Sequence, residues 1–260
     1  MVAQPLDDVA RRARRWRRTA LEAACDVAEP WEHGVVYRAR RYPSYYDFNV
    51  VLVEGDPAIG AGELIAAADT GLAGLEHRRL DFELVEAGDR VRGDLEAAQW
   101  EATRLLWMRH QAPLPEGPAV DVEEVDYDAV LDLRLTWHDE DFPDLDTRDY
   151  IAAAREVAMT RGVQVLATCV GDELTGFAQL ERFDGGAEIS QVYVLPEHRG
   201  SGRGTAITRA AVEAAGDVDD LWIVADDEGR AKQLYARLGF RPAWTAIEFV
   251  RAPGIAGYGG

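Results

Sequence analysis

The stretch EHRGSGRGTA, Glu197 to Ala206, sets three glycines and two arginines between a strand-like run, AEISQVYVLP, and a helix-like one, ITRAAVEAA. Where a strand turns into a helix, the first N–H groups of the helix lack partners, and the helix dipole adds positive potential at the same point. Gly200, Gly202 and Gly204 let a ligand approach the backbone with no Cβ in the way, and Arg199 and Arg203 bring cationic charge. The chemistry is that of a phosphate or pyrophosphate cradle. Its spacing excludes two common forms. A P-loop ends in Gly-Lys-Ser/Thr, whereas Gly204 is followed by Thr205 with no lysine. A dinucleotide fingerprint needs a third glycine one residue later than Gly204, and an acidic strand end that is missing here.

Behind the turn stands a series of alternating elements. From Val120 the text reads as strand VDVEEV, a helix around YDAVLDLRLTW, an acidic loop WHDEDFPDLD and a helix TRDYIAAAREVAMTRG. Strands VQVLATCVG, LTGFAQLERF and AEISQVYVL follow, then the glycine turn and its helix, strand DLWIVAD, helix GRAKQLYARLG and strand AWTAIEFVRA. The first half opens with a helix from Asp7 to about Glu29, carrying Val9, Ala13, Trp16, Ala20 and Ala24 at helical spacing. After it come strands GVVYRARRY and DFNVVLVEG, helix GAGELIAAADTGLAGL, strand EHRRLDFELVE, helix DRVRGDLEAAQW and strand EATRLLWMRH. The Pro-rich stretch Gln111 to Ala119 is the best linker. The expected fold is α/β, a mixed central sheet flanked by helices.

The turn and its surroundings resemble the acyl-coenzyme A signature of the GNAT (Gcn5-related N-acetyltransferase) superfamily, R/Q-x-x-G-x-G/A, here Arg199-Gly200-Ser201-Gly202-Arg203-Gly204. The later stretch AKQLYARLGFRP is similar to the family's second signature, L-Y-x-x-x-G-F, and the element order fits that fold. The resemblance covers roughly Val120 to Arg251. It implies acetyl-CoA as donor and an amine as acceptor, either a small molecule or a protein N-terminus or side chain. It implies that the backbone of Val192, Tyr193 and Val194 binds the pantetheine arm. The turn of Arg199, Gly200, Ser201, Gly202, Arg203, Gly204 and Thr205 then holds the pyrophosphate, and Tyr235 protonates the departing thiolate. Glu188 stands where some members carry a general base. Strand alternation puts residues 188, 190, 192 and 194 on one face, and a carboxylate beside an apolar cleft holds its proton more tightly, which suits that task. Many relatives carry an asparagine just before the second signature, and here Glu228 stands at that point.

The implied division is an N-terminal helix (1–30), a smaller, truncated and degenerate GNAT-like domain (31–112), a catalytic GNAT domain (119–252) and a flexible Gly-rich tail (253–260). In the degenerate half the turn GDPAIGAGEL has Ala58 where the arginine would stand. The aromatics of RRYPSYYDFN, with Asn49, either line an acceptor cleft or pack a core.

Bulk properties narrow the class further. The 260-residue chain carries a formal charge of −19, and Lys232 is its only lysine. Such a far field repels nucleic acid and anionic membranes. Neither a signal peptide nor an apolar run of ~20 residues is seen, which suits a cytoplasmic enzyme. Cys25 and Cys169 match no metal spacing and are expected to be reduced. The arginines from Arg11 to Arg18 either bind an anion or partner or answer the protein's own acidic surface. Asp139, Glu140, Asp141, Asp144 and Asp146, with Trp137 and His138 beside them, either attract a cationic amine or form a solvated acidic loop. The alternative to a transferase is a non-catalytic acyl-CoA-binding sensor or interaction module. Nothing in the sequence fixes the oligomeric state.

Overall fold

The computed structural model describes residues 8–143 and 145–252. Asp7, Asp144 and the tail at 253–260 lie outside the described residues. The chain forms two compact units. The first holds residues 8–107, 226–228 and 243–252, and the second holds 108–143, 145–225 and 229–242. The Pro-rich stretch therefore falls inside the second unit, and the last strand ends in the first. A sequence marks where a strand forms but not which strand it will pair with.

In the first unit, α1 (Asp8–Ala24) is followed by β1 (Val27–Trp31), β2 (Gly34–Arg38) and β3 (Val50–Val53). Then come α2 (Ala61–Gly71), β4 (Arg78–Phe82) and α3 (Val85–Ala97), and β5 (Glu101–His110) runs out into the second unit. The first helix is shorter than its periodicity predicts, and Val27–Trp31 pairs with β2 instead. Likewise the strand expected over EHRRLDFELVE stops at Phe82, and Val85 already begins α3. The strand order is β1-β2-β3-β4-β11, with β11 (Phe240–Arg251) set antiparallel to β4 from Ile247 opposite Phe82 to Arg251 opposite Arg78. β3 and β4 run parallel. Leu64 and Ala68 of α2, Leu95 of α3 and Phe82, Ile247 and Phe249 of the strands form the core. Helix α3 lies so close to the sheet that a Cβ on Gly88 would stand 2.2 Å from Ile247 Cγ2.

The basic helix answers this unit's own carboxylates. Arg17 reaches Asp81 at 3.0 Å, Arg18 reaches Glu83 at 2.6 Å and Glu54 at 2.7 Å, and Arg14 donates to the Glu83 carbonyl at 2.8 Å. Arg79, buried in the sheet, meets Asp47 at 2.7 Å, Asp81 at 2.8 Å and also Glu248. Asn49 is consumed by the fold: its Oδ1 accepts from Ala39 N at 3.0 Å, and its Nδ2 donates to the Tyr42 and Tyr45 carbonyls.

In the second unit, β6 (Glu123–Val125) and a 3-10 turn (Tyr127–Val130) lead into α4 (Leu131–Asp141) and α5 (Arg148–Arg161). After these come β7 (Gln164–Val170), β8 (Glu173–Phe183), β9 (Gly186–Val194), α6 (Arg203–Ala215), β10 (Leu221–Asp226) and α7 (Ala231–Arg237). The first four strands form an antiparallel ladder, and β10 lies parallel to β9. One face of the sheet packs on the 3-10 turn, α4 and α5 through Tyr127, Leu133, Ala158, Phe177 and Tyr193. By strand alternation Gly176 faces the other way, and there Ile207 of α6 approaches so closely that a Cβ on Gly176 would lie 3.2 Å from its Cδ1. Both units are mixed sheets flanked by helices, the α/β class that the sequence predicts.

Removing one partner of a buried ionic cluster strands the others. Arg79→Ala should therefore cost about 3–5 kcal/mol of unfolding free energy, read from urea denaturation. A loss below about 1 kcal/mol would mean that the three carboxylates find other partners.

Candidate functional site

Strand β9 carries one residue more than its partner. Ser190 stands opposite Gln179 and Tyr193 opposite Phe177, so Gln191 and Val192 together face Ala178 alone. Gln191 takes φ +54, outside the strand region. The bulge corrects the simple alternation expected for residues 188 to 194. Glu188 and Ser190 share the face of Tyr193, the side of α4 and α5, whereas Val194 opposite Gly176 turns to the α6 side. A two-for-one bulge depends on the partner strand's count and has no signature in β9 itself.

On its other edge β9 loses its neighbour at the same place. Parallel pairing with β10 runs through Leu221–Ala187, Trp222–Glu188 and Ile223–Ile189 and stops there. Both strands continue, β9 to Val194 and β10 to Asp226. Val192, Tyr193 and Val194 thus keep β8 on one side and have no ladder partner on the other among the described residues.

From Val194 the chain passes through a 3-10 turn, Pro196–His198, to the glycines. Gly200 (φ +77) and Gly202 (φ +87) both adopt the left-handed region, and Gly202 caps α6. Side chains other than glycine strain there. The N–H groups from Gly200 to Thr205 donate to no acceptor among the described residues, and the first pairing is Ala206 N to Gly202 O at 2.9 Å. Six consecutive N–H groups at a helix start form an anion-binding concavity. Arg203 is tied into it, with Nε on Thr175 Oγ1 at 3.0 Å and Nη1 on Ser201 Oγ at 2.8 Å.

The Arg199 guanidinium is turned elsewhere. It grips Glu140 through both terminal nitrogens at 2.7 Å, and its Nε donates to the Val194 carbonyl at 3.0 Å. Tyr193 Oη also donates to Glu140, at 3.1 Å, and the Tyr193 ring stacks on Trp137 with centroids 5.3 Å apart. Arg199 holds the Glu140 carboxyl below its ordinary range. Burial, and then Glu140, push the Tyr193 hydroxyl up to about 12. The acidic stretch read as a loop is thus helical through Asp141, because Trp137 and Glu140 lie one helical step apart and both dock on Tyr193. Asp146 is taken by Arg148. Glu140 and Asp146 thus serve the protein's own arginines.

Tyr235 lies on α7, which meets the cradle: a Cβ on Gly204 would stand 3.5 Å from Leu234 Cδ1, an ordinary contact. Burial pushes the Tyr235 hydroxyl up to about 12, so it keeps its proton through neutral pH. Glu188, half-buried on β9, stands opposite Glu181 of β8, a residue that the sequence reading did not single out. Burial pushes the Glu181 carboxyl up to about 7, a rise that its ion-pair partner Arg161 opposes and Glu188 reinforces.

A strand parted from its neighbour beside a bulge thus leads through a 3-10 turn to a cradle of N–H groups. Residues 127–240 match the model of the acetyltransferase (GNAT) family. The matched segment lies wholly within the second unit's span of the chain, from the 3-10 turn before α4 to the start of β11. The fold is similar to that of a functionally unknown conserved protein from Staphylococcus epidermidis, with a TM-score of 0.68 and 17% identity, covering 86% of this chain and 92% of that one. It is also similar to a GCN5-related N-acetyltransferase from Kribbella flavida (TM-score 0.57, 19% identity, 95% and 96% covered) and to another from Sphaerobacter thermophilus (0.51, 16%, 75% and 67%). No curated protein matches the chain.

Glu181 makes stability depend on pH. Its carboxyl titrates at about 7 when folded against an ordinary 4.5, so the folded state holds the proton more tightly. The contribution is full below pH 4.5 and is lost as pH rises through 7, amounting to no more than about 3 kcal/mol. Relative to Glu181→Gln, the native protein should lose unfolding free energy between pH 5 and pH 8 in urea titrations. Parallel pH profiles would mean that Arg161 keeps Glu181 ionised throughout.

Proposed function

We propose that the second unit is an N-acetyltransferase that passes the acetyl group of acetyl-CoA to a primary amine. The observation that carries this is the run of six unpaired N–H groups from Gly200 to Thr205, one 3-10 turn beyond the edge of Val192, Tyr193 and Val194 that has no ladder partner among the described residues. The cradle fits a pyrophosphate, because Gly200 and Gly202 lie in the left-handed region and add no Cβ to it. The strand edge suits an amide-bearing arm that hydrogen-bonds as an added strand would. Acetyl-CoA supplies a thioester carbonyl open to attack by a neutral amine.

The roles of the chain's own groups follow from their surroundings. Glu188, on the face of Ser190 and Tyr193, takes the proton of the acceptor amine, directly or through water. Strand N–H groups at the bulge stabilise negative charge on the carbonyl oxygen. Tyr235 delivers its proton to the departing thiolate. In the first unit, Gly60 caps α2 with φ −91, and no pair of left-handed glycines precedes that helix. This supports a structural task for the first unit and donor binding by the second alone. The rival is an acyl-CoA sensor without turnover, and thiol release in the presence of an amine separates the two.

A carboxylate on the first turn of α6 stabilises the helix but repels a phosphate, so one variant separates folding from binding. Thr205→Glu should melt no lower than the native protein, because the dipole favours it by about 0.3–1 kcal/mol. A ligand at about 100 times its dissociation constant adds about 2.7 kcal/mol, several degrees for a chain of this length. Acetyl-CoA should raise the melting temperature of the native protein by that amount and leave Thr205→Glu unmoved. An equal rise in both would place the phosphates elsewhere. Tyr235→Phe should keep the rise and lower turnover about 100-fold, and unchanged turnover would remove Tyr235 from the mechanism.

A further inference from the structure

Arg134 is 1% exposed in α4 and meets no carboxylate among the described residues. Its one hydrogen bond runs from Nη1 to the side-chain carbonyl of Gln191, at 3.2 Å, and its guanidinium lies 5.8 Å from the centre of the Tyr127 ring. Its Nε has no partner. Other enclosed arginines of this protein meet carboxyl groups, Arg79 three of them and Arg161 that of Glu181. A buried charge without a counter-charge costs several kcal/mol, on the order given by ion desolvation. A neutral amide at 3.2 Å offsets little of that.

The neighbours of Arg134 share its deficit. The Gln179 amide lies near the Tyr127 hydroxyl and acts on it, but among the described residues neither Gln179 Nε2 nor Tyr127 Oη, both buried, has a partner at full hydrogen-bond geometry. Gln179 stands opposite Ser190, one step before the bulge, and Gln191 is the bulge residue itself. Arg134 N–H, Gln179 N–H and Tyr127 O–H are all donors. What they lack in common is an anionic acceptor with several lone pairs, and a carboxylate offers about four. Gln191 Oε1, on a half-exposed side chain, stands where one oxygen of such a group would lie.

Building on acyl transfer at the bulge, we propose that Arg134, Gln179 and Tyr127 seat a carboxylate of the acceptor, which displaces Gln191 from Arg134. The acceptor is then a small amine that also carries a carboxylate, as a free amino acid does, and Arg134 determines its specificity. A carboxylate held within the same face as Glu188 brings the acceptor's amine toward the base while its anionic end is neutralised.

The test compares free amino acids with their matched carboxamides, using the full chain saturated with coenzyme A. Binding is read by calorimetry and by thermal shift. At least one free amino acid should bind about tenfold or more tightly than its amide, the value of a charge-assisted hydrogen bond. Arg134→Met should abolish the preference while melting no lower than the native protein, since it removes an uncompensated charge. Gln191→Ala, which frees Arg134 without touching it, should strengthen acid binding. Equal affinity for acid and amide, or no binding by any member of the panel, overturns the proposal. So does an Arg134→Met variant that melts lower and keeps the preference, because Arg134 would then be structural. The acetyl-CoA response of the same native protein reports separately on donor binding, so failure of the acceptor proposal and failure of the transferase assignment are distinguishable.

Discussion

A β-strand paired on one edge and released on the other is a costly arrangement, because each buried backbone group without a partner forfeits about 1–3 kcal/mol. β9 is such a strand beyond Ile189. It keeps β8, loses β10 and absorbs one extra residue at the point of separation. The rest of the second unit is arranged around that point. The bulge turns Tyr193 toward α4, where Trp137 stacks on its ring and Glu140 takes its hydroxyl. Arg199 then ties Glu140 to the Val194 carbonyl. This clamp fixes the direction in which the chain enters the glycine turn, and so the direction in which its N–H groups point.

The charge distribution has a second logic. In a chain of formal charge −19 the arginines are the scarce resource, and most of those placed near the cores are spent on carboxylates. The α1 arginines bind Asp81, Glu83 and Glu54, Arg161 binds Glu181, and Arg199 binds Glu140. Against that background an arginine with no carboxylate is informative. Arg134 sits beside the bulge among other unpaired donors. A buried donor cluster that the protein does not satisfy itself is the kind of feature that function, rather than stability, retains.

The turn was legible because its chemistry is local: Gly200 and Gly202 supply left-handed backbone, and the adjoining helix supplies N–H groups, whatever the rest of the chain does. The strand-helix order of the second unit was legible from hydrophobic period. What escaped depends on partners distant in sequence. The bulge at Gln191 exists only relative to β8, so alternation put Glu188 and Val194 on one face and the register puts them on two. The acidic stretch read as a loop because its charges look solvated, while the contacts of Trp137 and Glu140 with Tyr193 hold it in helix. Arg134, between Leu133 and Leu135, gave no signal that it was buried. Glu181 showed none that its proton would be held near neutrality.

Donor binding by two sets of backbone amides, at the released end of β9 and at the start of α6, is tested by residue-resolved hydrogen exchange. Exchange should be followed with and without acetyl-CoA, with NAD as a control. Slowed exchange concentrated on the amides of 192–194 and 200–205, with acetyl-CoA and not with NAD, is the predicted result. Slowed exchange confined to other segments, or the same protection from either ligand, would contradict it.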